Sequence, residues 1–99
     1  MDIYLEENSQ LARLAAFYLK EKSMALTLGK TIHLWHTHSA DFLKNERWVR
    51  HEIIHVQQSQ RYGFHSFILK YLWEILLHGY SKNKFEVAAR MRENEEVDL

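Results

Sequence analysis

The 99 residues contain no cysteine and no proline, and only three glycines. Without cysteine there can be no disulfide framework, no thiolate zinc finger and no cysteine nucleophile. Any zinc bound by this chain must be held by nitrogen and oxygen, the donor set of hydrolytic sites. Charge of one sign is also lacking: 13 basic and 13 acidic side chains leave a formal net charge of zero. That balance removes the electrostatic drive toward nucleic acid or anionic lipid. No secretion signal opens the chain, since Met1-Asp-Ile-Tyr-Leu-Glu-Glu7 has neither a basic region nor an apolar run. The most apolar stretch, Phe64 to Tyr80, carries His65, Lys70, Glu74 and His78 and is short for a bilayer crossing, which takes about 20 apolar residues. The expectation is a single domain over 1–99, soluble and cytoplasmic, with no membrane span.

What is present is apolar material and histidine. Hydrophobic residues make up 46% of the chain and aromatics 13%, enough for a packed core. Leu11, Leu14, Ala15 and Tyr18 recur at helical spacing and predict an amphipathic helix over about 8–22. Met24–Leu28 and Thr31–Trp35 flank Gly29-Lys30, a two-residue hairpin signal. In the second arm Ile32 and Leu34 face one way while Thr31, His33 and Trp35 face the other. Residues 37–44 read as a loop, after which Asp41 or Asn45 caps a helix that runs to about Tyr62 and is closed by Gly63. A third helix spans about 65–78 and ends at Gly79. A fourth begins near Asn83 and gives way to an acidic tail over about 93–99, expected to fray. The fold class is mainly α (α+β): about four helices and one small β-hairpin. Trp48, Val49, Ile53 and Val56 are assigned to the core. The third helix has little polar face. Core burial is the first reading for it, and an interface, including a homodimer through 64–80, is the other.

The seven histidines are not scattered evenly. His51-Glu52-Ile53-Ile54-His55 is an H-E-x-x-H pattern in the middle of the second long helix. Histidines four apart lie about 40° from each other around a helix and one turn of rise apart, so both imidazoles reach one ion. Glu52 is rotated about 100° from His51, beside the ion, where a carboxylate can take a proton from water. The plain alternative is a helix with two surface histidines and an exposed glutamate. A catalytic zinc wants a third protein ligand, and spacing alone leaves that choice open. Glu86 is one candidate, but Asn83-x-x-Glu86 equally fits a capping box, with Arg90 placed to pair with Glu86 at i+4. His65 and His78 are others. His36 and His38 form a rival pair near the hairpin end. Gln58, three residues beyond His55, either orients that histidine or is a plain exposed polar residue.

Together, His51-Glu52-x-x-His55-x-x-Gln58, Gly63, Tyr80 and Phe85-Glu86-Val87-Ala88-Ala89 resemble the gluzincin class of zinc metallopeptidases. They are similar in particular to small bacterial H-E-x-x-H domains, including the peptidase-like core domain associated with contractile injection systems. Leu26-Thr27-Leu28-Gly29-Lys30-Thr31-Ile32 resembles the strand-turn-strand that precedes the active-site helix there. The resemblance spans about 25–90. It implies one zinc ion held by His51, His55 and Glu86, with Glu52 as general base in the hydrolysis of a peptide or protein substrate. It also implies an oxyanion-stabilising tyrosine or histidine, for which Tyr80 is the choice over His78, Tyr71 and His36. The alternative is a zincin scaffold that binds zinc without catalysis and serves protein interaction or assembly.

Overall fold

A computed structural model describes residues 2–93. Eight elements follow one another: β1 (Tyr4–Glu6), α1 (Gln10–Leu19), β2 (Met24–Leu28), β3 (Thr31–Trp35), α2 (Ser39–Lys44), α3 (Glu46–Tyr62), α4 (Phe64–His78) and α5 (Lys84–Arg92). The predominance of helix over a small sheet agrees with the expected mainly α, α+β class. The hairpin forms as expected about Gly29, whose φ of 62° lies in the left-handed region. Two elements exceed the expectation. β1 adds to the hairpin as a parallel neighbour of β3, pairing Leu5 with Ile32, so the sheet order is β1-β3-β2. Three residues are too few to show a period of two, and this strand has no signature in sequence. Residues 39–44 are the helix α2 rather than loop, pinned by the fully buried Phe42.

The sheet has a helix on each face. Ile32 and Leu34 of β3 point toward Phe42, Trp48 and Val49 of α2 and α3, and Ala25 joins them from β2. The opposite face carries Met24, Leu26 and Trp35 against α1. The expected alternation in β3 is therefore correct, and so is the core role of Trp48, Val49, Ile53 and Val56, the first two partly buried and the last two buried. The apolar face assigned to α1 is wrong by one position. Ala12 and Ala16 are the buried residues, while Leu14 is 67% and Tyr18 77% exposed. Small side chains let the helix axis approach the sheet closely, and the large apolar residues beside them are left outside. Helix α1 ends at Lys20, which takes a left-handed conformation, earlier than the expected close near residue 22.

Asn45 caps α3, its side chain accepting from the Trp48 amide, and Gly63 closes the helix with φ 84°. Helix α4 departs most from expectation. Only Phe67 is buried, and Leu69, Leu72, Trp73, Leu76 and Leu77 are all exposed, so the core reading of this helix is overturned. No described helix is long and apolar enough to cross a membrane. At the start of α5 the fully buried Asn83 holds two elements together. Its Oδ1 accepts from the Phe85 amide at 2.9 Å and its Nδ2 donates to the Tyr71 carbonyl at 3.1 Å. Asn83→Ala removes the cap and leaves that carbonyl without its partner. The expected cost is about 1–3 kcal/mol in urea unfolding; a loss under about 0.5 kcal/mol would mean the cap does not hold α5 in place.

Candidate metal centre

Helix α3 passes beside β2 and α5, and this places its two histidines. Ile54 and Val56 are fully buried, which fixes the rotation of the helix. His51 and His55 then face α5, on which Phe85 and Ala89 are buried and Glu86 lies between them. His51 Nε2 is 3.0 Å from Glu86 Oε1 and His55 Nε2 is 3.1 Å from Glu86 Oε2. One ligand atom from each of the three residues lies within 4.8 Å of the others. The exposed His65 and His78 do not join this group. His36 is exposed at the hairpin end and His38 bonds Glu7 at 3.2 Å.

The capping-box alternative for Glu86 is decided by the same hydrogen bonds. Asn83 does cap the helix, but its own amide donates to the Tyr80 carbonyl at 3.2 Å, and Glu86 turns to the histidines instead. Arg90 turns to the Ser81 carbonyl. The Glu86 carboxylate also receives the Tyr71 hydroxyl. Burial would raise its pKa, but the bond from His51, the charge of the nearby His55 and the bond from Tyr71 prevail and hold it well below the usual carboxylate range.

The remaining nitrogens of the two histidines are also held. His55 Nδ1 faces Gln58 Oε1 at 2.9 Å, and Gln58 Nε2 donates to the Phe85 carbonyl at 3.0 Å. That second bond orients the amide: its oxygen must face the imidazole, so His55 Nδ1 carries the hydrogen and Nε2 turns to the centre. His55 Nε2 is buried. It is close enough to Glu86 for an ion pair but out of line for a hydrogen bond, and it has no hydrogen-bond partner among the described residues. Such an orphaned nitrogen, aimed at a second imidazole and a carboxylate, fits a metal ion. In a tetrahedral zinc site, bonds of about 2.0–2.2 Å place ligand atoms roughly 3.3–3.5 Å apart, and the three ligand atoms here lie within 4.8 Å of one another. The N, N, O set suits zinc.

Without metal, the neighbouring carboxylates favour protons on the two imidazoles. Burial opposes a charge on His55, but Glu86 and Glu52 overcome it and push its pKa up to about 9. His51 is raised in the same way, burial being outweighed by Glu86, Glu52 and Glu93.

Glu52 is almost wholly buried and accepts from the Thr27 hydroxyl at 2.9 Å. Its enclosure raises its pKa against the pull of both histidines and the Thr27 bond. Tyr80 lines the same cavities as Glu52 and Glu86 and is bonded to Tyr71. Burial, then Glu86 and Glu52, push both phenols above their ordinary value, so each remains a neutral donor. Glu52, Tyr80 and Glu86 form the meeting point of two open cavities. One, of about 490 Å³, has the charged residues Glu21, Arg47, Arg90 and Glu93 in its lining. The other, of about 360 Å³, is walled by apolar residues of α1, β2 and α4, among them Leu19, Leu26, Phe67 and Leu72.

Sequence reasoning missed three contributors. Glu93, assigned to the frayed tail, is buried and bonded to both His51 and Arg47; the rest of that tail, 94–99, lies outside the described residues. Its signal was available: it follows Glu86 by seven residues, two turns along the same helix face. Arg47 precedes His51 by four on α3. Thr27 carries no signal, because only the packing of β2 on α3 brings it to Glu52.

A family model for the eCIS core domain matches residues 5–63. No curated protein and no solved structure matches the chain. The matched stretch holds the sheet except Tyr4, together with α1, α2 and α3 with His51, Glu52 and His55, whereas Glu86 and Glu93 lie beyond it. Since it covers more than half of the residues, the chain belongs to the eCIS core domain family.

Proposed function

We propose that the domain is a zinc-dependent metallopeptidase-like protein of the gluzincin type, with one zinc ion held by His51, His55 and Glu86. The observation that carries this reading is the convergence of two imidazole Nε2 atoms on one buried carboxylate, with His55 Nε2 left without a hydrogen-bond partner among the described residues. Zinc in such a site supplies Lewis acidity, polarising a carbonyl and making water a stronger acid.

The protein's own groups supply the rest. Glu52, held by Thr27 and raised in pKa, is the general base. It takes a proton from the attacking water as the oxygen adds to the peptide carbonyl carbon, and returns it to the departing amine as the C–N bond breaks. Tyr80 keeps its phenolic proton and donates a hydrogen bond to the oxygen on which charge develops. The two cavities meeting at these residues leave room for an extended peptide or protein substrate on both sides of the bond. The test is elemental analysis of the purified protein, expected to give about one zinc per chain, together with cleavage of a peptide library. A chain without zinc, or a zinc-loaded chain that cuts no peptide, would refute it.

A second reading rests on the apolar faces that α1 and α4 leave exposed. Here the zinc-bound scaffold serves protein interaction or assembly, and α4 forms a homodimer over 64–80. Leu76, three-quarters exposed on α4, tests it. A concentration-dependent dimer in sedimentation velocity that Leu76→Glu converts to monomer is the expected result. A monomer at all concentrations would exclude the dimer.

A further inference from the structure

His51 differs from His55 in how its second nitrogen is held. His51 Nδ1 lies 2.8 Å from Glu93 Oε2, and the other oxygen of that carboxylate receives Arg47 Nε at 2.6 Å. Arg47 stands one turn before His51 on α3, and Glu93 two turns beyond Glu86, at the end of α5. The pair therefore ties the start of the metal-bearing helix to the end of the helix that supplies the third ligand. An ionised carboxylate can only accept, so it fixes hydrogen on Nδ1 and leaves the Nε2 lone pair facing His55 and Glu86. Two contacts make the carboxylate a fixed point: the Arg47 guanidinium positions it, and its own burial limits its alternatives.

From this geometry we infer that Glu93, held by Arg47, is a positioning residue for the metal centre, setting the tautomer and ring orientation of His51. The inference rests on the metal reading above and adds to it a residue outside the stretch matched by the family. Carboxylates that accept from a ligating imidazole contribute about 10–100-fold to metal affinity. The carboxamide of glutamine retains one acceptor oxygen, whereas alanine has none.

Glu93→Ala, Glu93→Gln and Arg47→Ala are compared with the unchanged chain in two measurements. In competition with a chromogenic chelator, Glu93→Ala is expected to weaken zinc binding by about 10–100-fold, with Glu93→Gln intermediate and Arg47→Ala weakened less. In nitrogen-15 NMR of the metal-free protein, at a pH where both imidazoles are neutral, His51 is expected to carry its hydrogen on Nδ1. Glu93→Ala should mix the two tautomers and Glu93→Gln restore the first. A purely structural role would lower Tm in all three variants without moving the tautomer. The inference is overturned if zinc affinity in Glu93→Ala stays within about twofold of the unchanged chain, or if the His51 tautomer is the same in every variant. A loss as large as that in Glu86→Ala would make Glu93 a ligand instead and would also overturn it. If the unchanged chain takes up no zinc, the metal reading fails, and the tautomer measurement still decides the role of Glu93.

Discussion

Glu52→Gln is expected to leave one zinc bound per chain and to lower peptide turnover by between about a hundredfold and ten-thousandfold, the range that a positioned general base contributes. The two effects separate because Glu52 is not among the groups that converge on the candidate metal site: His51, His55 and Glu86 do so, while Glu52 faces Thr27. Stability adds a third readout. Burial raises the Glu52 pKa in the metal-free protein, so its ionised form is disfavoured by folding at neutral pH. A neutral amide of the same shape still accepts from Thr27, and the metal-free variant should melt no lower than the parent. Loss of turnover with zinc retained and Tm maintained identifies Glu52 as the base. Undiminished turnover would remove it from the mechanism, and loss of zinc would mean that it shapes the site rather than the reaction.

The part of this site that was legible in sequence is the part built within one helix. His51 and His55 share a face because of helical geometry alone, and Glu52 follows from the same rotation. Glu86 was undecidable from spacing, because a capping glutamate and a ligand glutamate occupy the same position. Only the bond from the Asn83 amide to the Tyr80 carbonyl shows that the cap does not use it. Resemblance alone points to Tyr80, which lines both cavities. Tyr71, ranked behind it, is the residue that bonds Glu86, because Phe67, one turn earlier on α4, is that helix's single buried residue and turns this face inward. Misreadings of the fold share one cause. Periodicity picks out the largest apolar residues, whereas the close packing of α1 on the sheet selects Ala12 and Ala16. Helix α4 reads as core in sequence because nothing in a linear pattern distinguishes a face buried in the domain from one left uncovered.

Zinc affinity is expected to climb steeply with pH between about 6.5 and 9, while the stability of the metal-free protein falls over the same interval. Both follow from the protons at the centre. In the folded chain the His55 pKa is pushed up to about 9, from an ordinary value near 6.5, and that of His51 is raised as well. Their contribution to stability is therefore complete below about 6.5 and disappears as pH rises through about 9. Glu86 works in the other direction: its pKa is lowered, so its contribution is complete above about 4.5 and is lost as acid protonates it. Glu52, with its raised pKa, loses its contribution as pH rises past about 4.5, so the metal-free protein should be most stable within about pH 4.5 to 6.5, toward the acid end of that interval. Zinc reverses the alkaline side, because it takes the Nε2 lone pairs that the protons occupy. Each proton displaced steepens binding by up to about tenfold per pH unit, so two histidines allow up to about a hundredfold. Calorimetric titrations in buffers of different ionisation enthalpy would count the protons released, and thermal melts with and without zinc across this range would diverge as pH rises. Zinc binding that is flat from pH 6.5 to 9 would mean that the ion does not displace the His51 and His55 protons. It would then have to be held elsewhere than between these imidazoles and Glu86.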